Sequence, residues 1–157
     1  MPRHRYKKIK IKPDKVYKSF EVAKLINYVM IDGKKSVAEK NVYKAFEEIK
    51  KKDQDPMKVF LQAISNTSPS MEVRPRRLGG ASYLVPTEVR KERKIFLSLN
   101  WIIEAAKARS NKEYHHFYEK LSAEILDAAN NQGQAVAKKQ QTESLAEKNK
   151  AFSHLKW

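Results

Sequence analysis

The sequence contains no cysteine and only four glycines among its 157 residues. Without cysteine the chain has no disulfide scaffold, no cysteine-ligated zinc site and no thiol nucleophile. No apolar run approaches the roughly 18 residues that a membrane-spanning helix needs. The basic N-terminus is not followed by the apolar segment of a signal peptide. We therefore expect an intracellular protein with no membrane partner.

Acidic residues are the second shortage, with 18 Asp and Glu against 33 Lys and Arg, which gives a formal net charge of +15. An excess this large repels itself in a compact state, and a polyanion such as nucleic acid relieves that repulsion. Hydrophobic residues still make up 41% of the chain. That fraction is normal for a folded protein, and the length predicts a single domain.

The positive charge is concentrated in two segments. Residues 1–19 hold eight basic residues against one acidic residue, and residues 71–94 hold seven against three. In the first segment Tyr6, Ile9 and Ile11 place apolar groups between the charges. This interleaving favours an arm that becomes ordered on RNA over a tail that only improves solubility, and both segments are candidate nucleic-acid contacts.

Apolar residues recur elsewhere at the spacing of one helix face, which predicts about six helices. Ser36–Glu39 and Ser110–Glu113 have the spacing of a capping box, which predicts the starts of the second and fifth helices. Asp55 before Pro56 is typical of the start of the third. The sixth, after the break at residues 130–133, has few large apolar residues. We expect it to be weakly anchored and to need a partner surface.

Residues 72–89 break the helical pattern and predict a β-hairpin. Gly79 and Gly80 supply the positive φ angles of a tight turn. Pro75 and Pro86 each lack an amide donor, so neither strand can be central in a sheet. We therefore expect the hairpin to be a two-stranded ribbon that packs on the surface of a partner.

The predicted fold is mainly α, a bundle of about six helices with a protruding two-stranded β-hairpin and a basic extended N-terminal arm. We expect residues 1–18 to form the arm and residues 19–157 to form a single helical domain, with 72–89 as the inserted hairpin.

Three segments carry a resemblance to a known family: Glu72–Val89, Asp32–Lys40 and Ala151–Trp157. Together they resemble the bacterial form of small-subunit ribosomal protein seven, and the similarity runs along the whole chain. The resemblance implies a structural constituent of the small ribosomal subunit that is not an enzyme and has no cofactor or small-molecule substrate. It implies binding to the 3′ major domain of small-subunit rRNA, nucleation of head assembly and a position near the path of exit-site tRNA and mRNA.

The same resemblance implies further partners and a set of contact residues. The partners are neighbouring head and platform proteins, small-subunit proteins nine and eleven, in a cytoplasmic rather than an organellar ribosome. Gly79, Gly80 and Tyr83 fall at the hairpin tip near exit-site tRNA. The residues that fall at rRNA contacts are Arg3, Arg5, Lys7, Lys8, Lys34, Lys35, Arg74, Arg76, Arg77, Arg93 and Arg109.

Several positions depart from the family pattern, among them Gln140 and Gln141, which stand where charged residues are expected. Asn100 stands where family members often have Arg, and Glu143 stands where a His is frequent in the last helix. Next to the first of these, Trp101 suits packing in the core at least as well as contact with RNA.

Two other classes of protein were weighed against this interpretation. A helix-turn-helix DNA reader needs two helices joined by a short glycine-containing turn, and the sequence has no such pair with a suitable second helix. An enzyme or metal site would use His115 and Glu119, which are four residues apart, but the remaining histidines have no helpful spacing for a third ligand. We therefore predict no catalytic residues and no metal ligands.

Removal of residues 1–12 should flatten the salt dependence of RNA binding. Each neutralised phosphate contributes a slope of roughly −0.7 to −0.9 to a plot of log K against log salt. The deleted segment carries six basic residues, so the slope should change by several units. Binding of refolded small-subunit rRNA across a salt series measures it. An unchanged slope would make the segment a solubilising tail.

Overall fold

The computed structural model describes residues 11–155 and confirms a mainly helical fold with a two-stranded antiparallel hairpin. The part of the arm at residues 1–10 lies outside the described residues. The hairpin is inserted between the third and fourth helices. In chain order the elements are α1 (Phe20–Val29), α2 (Lys35–Lys50), α3 (Pro56–Thr67), β1 (Met71–Leu78), β2 (Ala81–Glu88), α4 (Lys91–Ala108), α5 (Phe117–Ala129), α6 (Gln134–Lys148) and a 3₁₀ helix (Lys150–Leu155).

The core lies around α5, which packs against α2, α3, α4 and α6. The apolar faces of helices α1 to α5 point into it, and Leu25, Phe46, Phe60, Leu99 and Leu121 have no measurable exposure. Burial of side chains of this size stabilises the fold by about 1.5–3 kcal/mol each. The helical body is therefore a rigid support for the segments that it presents.

Tyr17 and Asp14, near the end of the predicted arm, lie on α2. The Asp14 carboxylate accepts hydrogen bonds from the Tyr43 hydroxyl at 2.7 Å and from the Tyr17 amide at 2.9 Å. The Tyr17 ring meets the Phe46 ring edge-on, with centroids 5.0 Å apart. Burial opposes the charged form of Asp14, but these hydrogen bonds outweigh it and lower the pKa of the carboxyl. The chain thus leaves the body from a fixed point.

Of the three predicted helix starts, one is confirmed and two are wrong. Asp55 accepts a hydrogen bond from the Met57 amide at 3.0 Å, as predicted. Ser36, however, lies inside α2, which begins at Lys35. The helix thus begins two residues before the start that a cap at Ser36 predicts, shortly after the turn in which Asp32 and Gly33 both have positive φ.

The fifth helix, in contrast, starts later than predicted, at Phe117. Lys120 donates hydrogen bonds to the Arg109 carbonyl at 2.6 Å and to Asn111 Oδ1 at 2.5 Å. These bonds tie residues 109 and 111 to α5 from outside the helix, and the turn at residues 111–113 separates them from its start. The Glu119 carboxylate then accepts the His116 amide at 3.1 Å at the true helix start.

An internal ion-pair network joins the ends of α4, α5 and α6. Arg109 donates to Glu124 Oε2 from Nε at 2.9 Å and from Nη2 at 2.7 Å, and it also pairs with Asp127. Glu124 Oε1 accepts the Ala135 amide at 3.2 Å. Burial alone lowers the pKa of Arg109, but the two carboxylates outweigh it and raise that pKa, so the guanidinium stays charged.

Arg109→Ala should lower the free energy of unfolding by about 3 kcal/mol, since it leaves the carboxylate of Glu124 buried without its partner. The Glu124 side chain is only 1% exposed. Arg90→Ala is the matched control, because Arg90 is exposed and its side chain makes no capping bond; it should change stability by less than about 0.5 kcal/mol. Urea denaturation compares the two. Equal losses would show that the network contributes no net stability.

Candidate nucleic-acid interface

The hairpin has the tight turn that its glycines predict. Gly79 and Gly80 have φ angles of +57° and +89°, and two positive φ angles in a two-residue loop suit the right-handed twist of the strands. Leu78 pairs with Ala81 next to this turn. Both glycines are exposed at the apex, so the backbone there is open to a close approach.

The three hairpin arginines do not share one face of the ribbon. Arg74 lies opposite Val85 and Arg76 lies opposite Tyr83. Successive side chains of a strand alternate between faces, so Arg74 and Arg76 share a face with Tyr83, whereas Arg77 is on the opposite face. Arg74 and Arg77 are exposed and Arg76 is half-buried. The ribbon therefore presents positive charge on both sides.

Tyr83 is not a free residue at the tip. It is half-buried, and its ring packs on the Phe152 ring of the 3₁₀ helix with centroids 5.3 Å apart. The 3₁₀ helix lies along β2. This contact supports the middle of the ribbon and leaves Gly79 and Gly80 beyond it.

Helix α6 fixes the base of the hairpin. Glu143 accepts hydrogen bonds from the Ser70 amide and the Ser70 hydroxyl, both at 2.8 Å. Burial opposes its charged form, but the two Ser70 bonds outweigh that effect and lower the pKa of Glu143. The partner surface expected for this polar helix includes the chain's own hairpin.

A second carboxylate orders the arginines at the hairpin base. Glu72 is buried and accepts from Arg74 Nε at 2.9 Å, from Arg74 Nη2 at 2.6 Å and from Arg93 Nε at 3.2 Å. Burial opposes its charged form, but the bonds from both arginines outweigh it and lower the pKa of Glu72. The charge pattern of the sequence does not distinguish Glu72 from the other acidic residues. Its spacing of two from Arg74 was a usable signal, because residues two apart share a strand face.

The remaining predicted contact residues lie on other elements. Lys34 and Lys35 are exposed at the start of α2, where Lys34 and Lys107 edge an apolar groove of about 330 Å³. The side chain of Arg109 is only 18% exposed and is held in the network with Glu124. Arg3, Arg5, Lys7 and Lys8 lie outside the described residues.

His115 and Glu119 do not share a helix, because α5 begins at Phe117. Within residues 11–155 no three His, Asp or Glu side chains come together as a metal site requires. No helix in that range is long and apolar enough to cross a bilayer. Trp101 is half-buried against the core, and Asn100 beside it is half-buried as well.

A helical body that presents an arginine-bearing hairpin has the basic surface of a nucleic-acid-binding protein. Residues 1–150 match the family model described as ribosomal protein S7p/S5e. The chain is 54% identical to the small ribosomal subunit protein uS7 of Caldanaerobacter subterraneus subsp. tengcongensis over 96% of this chain and 95% of that one. It is 50% identical to the uS7 protein of Thermotoga neapolitana over the full length of both.

The chain belongs to the ribosomal protein S7p/S5e family. It is thus a protein of the small ribosomal subunit, with a role in translation, and the family is not enzymatic. Ribosomal RNA and other ribosomal proteins are its partners.

Glu143→Gln should destabilise the protein at neutral pH and have little effect in acid. The folded-state pKa of Glu143 lies below its ordinary value of 4.5. The charged carboxylate therefore stabilises the fold above the unfolded pKa, and this contribution is lost as the pH falls through the folded pKa. We expect a loss of about 1 kcal/mol at pH 7, after allowance for partial exposure.

Urea unfolding of both proteins at pH 7 and pH 3 measures this difference. Glu147→Gln is the control, since Glu147 is exposed on the same helix. A loss that is equal at both pH values would show that the charge of Glu143 is not responsible.

Proposed function

We propose that the protein binds the 3′ major domain of small-subunit rRNA through three basic elements, the N-terminal arm, the turn before α2 and the hairpin. The observation that carries this proposal is the exposure of Arg74 and Arg77 on opposite faces of a projecting ribbon. Arginine forks match phosphate oxygens in geometry and charge. A two-sided charged ribbon suits insertion between RNA segments better than contact with one flat surface.

Arg109 is left out of the proposed interface, because its guanidinium already pairs with Glu124 and Asp127. Lys34 and Lys35 remain in it, since both are exposed at the start of a helix that is fixed by the core. Arg93 also remains, with a side chain 45% exposed. The proposed interface includes Arg3, Arg5, Lys7 and Lys8 because of their positive charge, as parts of the arm.

The hairpin tip has a different proposed role, beside exit-site tRNA and mRNA. Gly79 and Gly80 carry no charge and offer close backbone approach. As a head protein that binds rRNA, the chain nucleates head assembly in the cytoplasmic ribosome and adjoins small-subunit proteins nine and eleven. The resemblance of its motifs to the bacterial family is the support for these finer assignments.

Replacement of Arg74, Arg76 and Arg77 by Ala should weaken rRNA binding at least tenfold and lower the occupancy of the protein in reconstituted subunits. Removal of three cations should also reduce the salt slope by about 2 to 3. The control replaces Lys50, Lys51 and Lys52 by Ala, which removes the same charge from a helix end outside the proposed interface. Equal losses in the two variants would show only a response to net charge.

The tip is tested in the same reconstitution by deletion of Arg77, Leu78, Ala81 and Ser82. This removes two residue pairs, or about 6.6 Å of ribbon, and leaves the Gly79–Gly80 turn and the Tyr83–Phe152 contact in place. Occupancy should stay near that of Arg77→Ala alone, while retention of deacylated tRNA at the exit site falls. Normal tRNA retention with collapsed occupancy would make the tip an assembly element instead.

A further inference from the structure

The base of the hairpin holds an acidic side chain in a segment otherwise rich in arginine. The Glu72 side chain is only 9% exposed, whereas those of Arg74 and Arg93 are 53% and 45% exposed. A buried carboxylate beside a surface that binds phosphate repels the ligand, so its presence there requires another role. Its hydrogen bonds indicate what that is.

The two carboxylate oxygens of Glu72 accept hydrogen bonds from two different elements. Oε1 accepts the Nε and Nη2 groups of Arg74, on its own strand, while Oε2 accepts Nε of Arg93, in the first turns of α4. The Arg93 guanidinium also lies 5.0 Å from the centroid of the Phe96 ring. Each guanidinium carries five N–H groups, so three on Arg74 and four on Arg93 are not bonded to Glu72.

We propose that Glu72 is a positioning residue that holds Arg74 and Arg93 together as a preformed site for an RNA backbone phosphate. The inference rests on the proposed function, of which it specifies one site. The three side chains together carry a net charge of +1, so the site still attracts an anion. Long arginine side chains lose rotamer freedom when they bind, and Glu72 removes most of that loss before the RNA arrives.

Two simpler accounts of Glu72 make different predictions. If its charge acts on RNA only through Coulomb repulsion, its neutralisation tightens binding. If it is only a latch between β1 and α4, made by its bond to Arg93, its neutralisation loosens the hairpin itself and lowers the hydrogen-exchange protection of the hairpin amides. A positioning role predicts instead that neutralisation weakens RNA binding, and only while Arg74 and Arg93 are there.

The test compares Glu72→Gln with Glu88→Gln in the full chain, with refolded small-subunit rRNA as the probe. Glu88 is an exposed carboxylate on β2 near the same end of the ribbon, so both variants remove one negative charge. We expect Glu88→Gln to leave binding unchanged or slightly tighter and Glu72→Gln to weaken it about tenfold, from the lost ordering of two side chains. Tighter binding by both variants would overturn the proposal.

The second arm repeats Glu72→Gln in an Arg74→Ala, Arg93→Ala background. The weakening should disappear there, because pairwise coupling requires both partners. A weakening of the same size in that background would show that Glu72 acts without the two arginines and would overturn the proposal. A loss of hydrogen-exchange protection at the hairpin amides of Glu72→Gln would identify a latch and overturn it as well. Arg93→Lys keeps the positive charge but loses the planar guanidinium. It should therefore weaken RNA binding several-fold with an unchanged salt slope. This variant tests the site even if Glu72→Gln does not fold.

Failure of the proposed function is distinguishable from failure of this inference. If the intact chain does not bind the rRNA at all, both the proposed function and this phosphate site are wrong. If the intact chain binds and Glu72→Gln binds equally well, only the positioning role is overturned.

Discussion

A two-stranded ribbon is not stable by itself in water, and much of this structure follows from that constraint. Within residues 11–155 the hairpin has no third strand, and its outer half carries arginines and glycines in place of core residues. Its order therefore depends on contacts at its base and middle. Glu143 holds Ser70 there, Val85 is fully buried, and Phe152 supports Tyr83. The polar helix α6, with little apolar surface of its own, is stabilised by the same contacts that stabilise the ribbon.

The scarce acidic residues are placed where they order the abundant basic ones. Glu124 holds Arg109 inside the body, and Glu72 holds Arg74 and Arg93 at the surface. The difference between these two groups is exposure. Arg109 is only 18% exposed and its charge is offset by two carboxylates, whereas Arg74 and Arg93 are about half exposed and share one carboxylate, which leaves a net charge of +1. The same kind of ion pair thus stabilises the fold at Arg109 and orders the arginines of the proposed phosphate site at Arg74 and Arg93.

The elements that sequence reasoning predicted correctly are those set by local pattern. Stripes of apolar residues located the helices, and Gly79 and Gly80 located the turn, because each pattern needs only its own neighbours. The capping boxes at Ser36 and Ser110 were wrong because tertiary hydrogen bonds and positive φ angles moved the helix starts. The roles of Glu143 and Arg109 were missed for a related reason. Their partners are 73 and 15 residues away, and charge alone does not distinguish an internal ion pair from a phosphate contact.

The Tyr83–Phe152 contact has a consequence for the order in which the molecule matures as it leaves the ribosome that makes it. Both strands are synthesised by residue 88, but Glu143 and Phe152 emerge more than fifty residues later. Contacts between residues so far apart in sequence form late, because the intervening chain must first be made and closed into a loop. The hairpin therefore lacks its contacts with Glu143 and Phe152 until these residues have been synthesised. The surface that bears the arginines is therefore complete only after α6 and Phe152 have been translated, and the proposed RNA contacts of the hairpin can form only on a finished helical body.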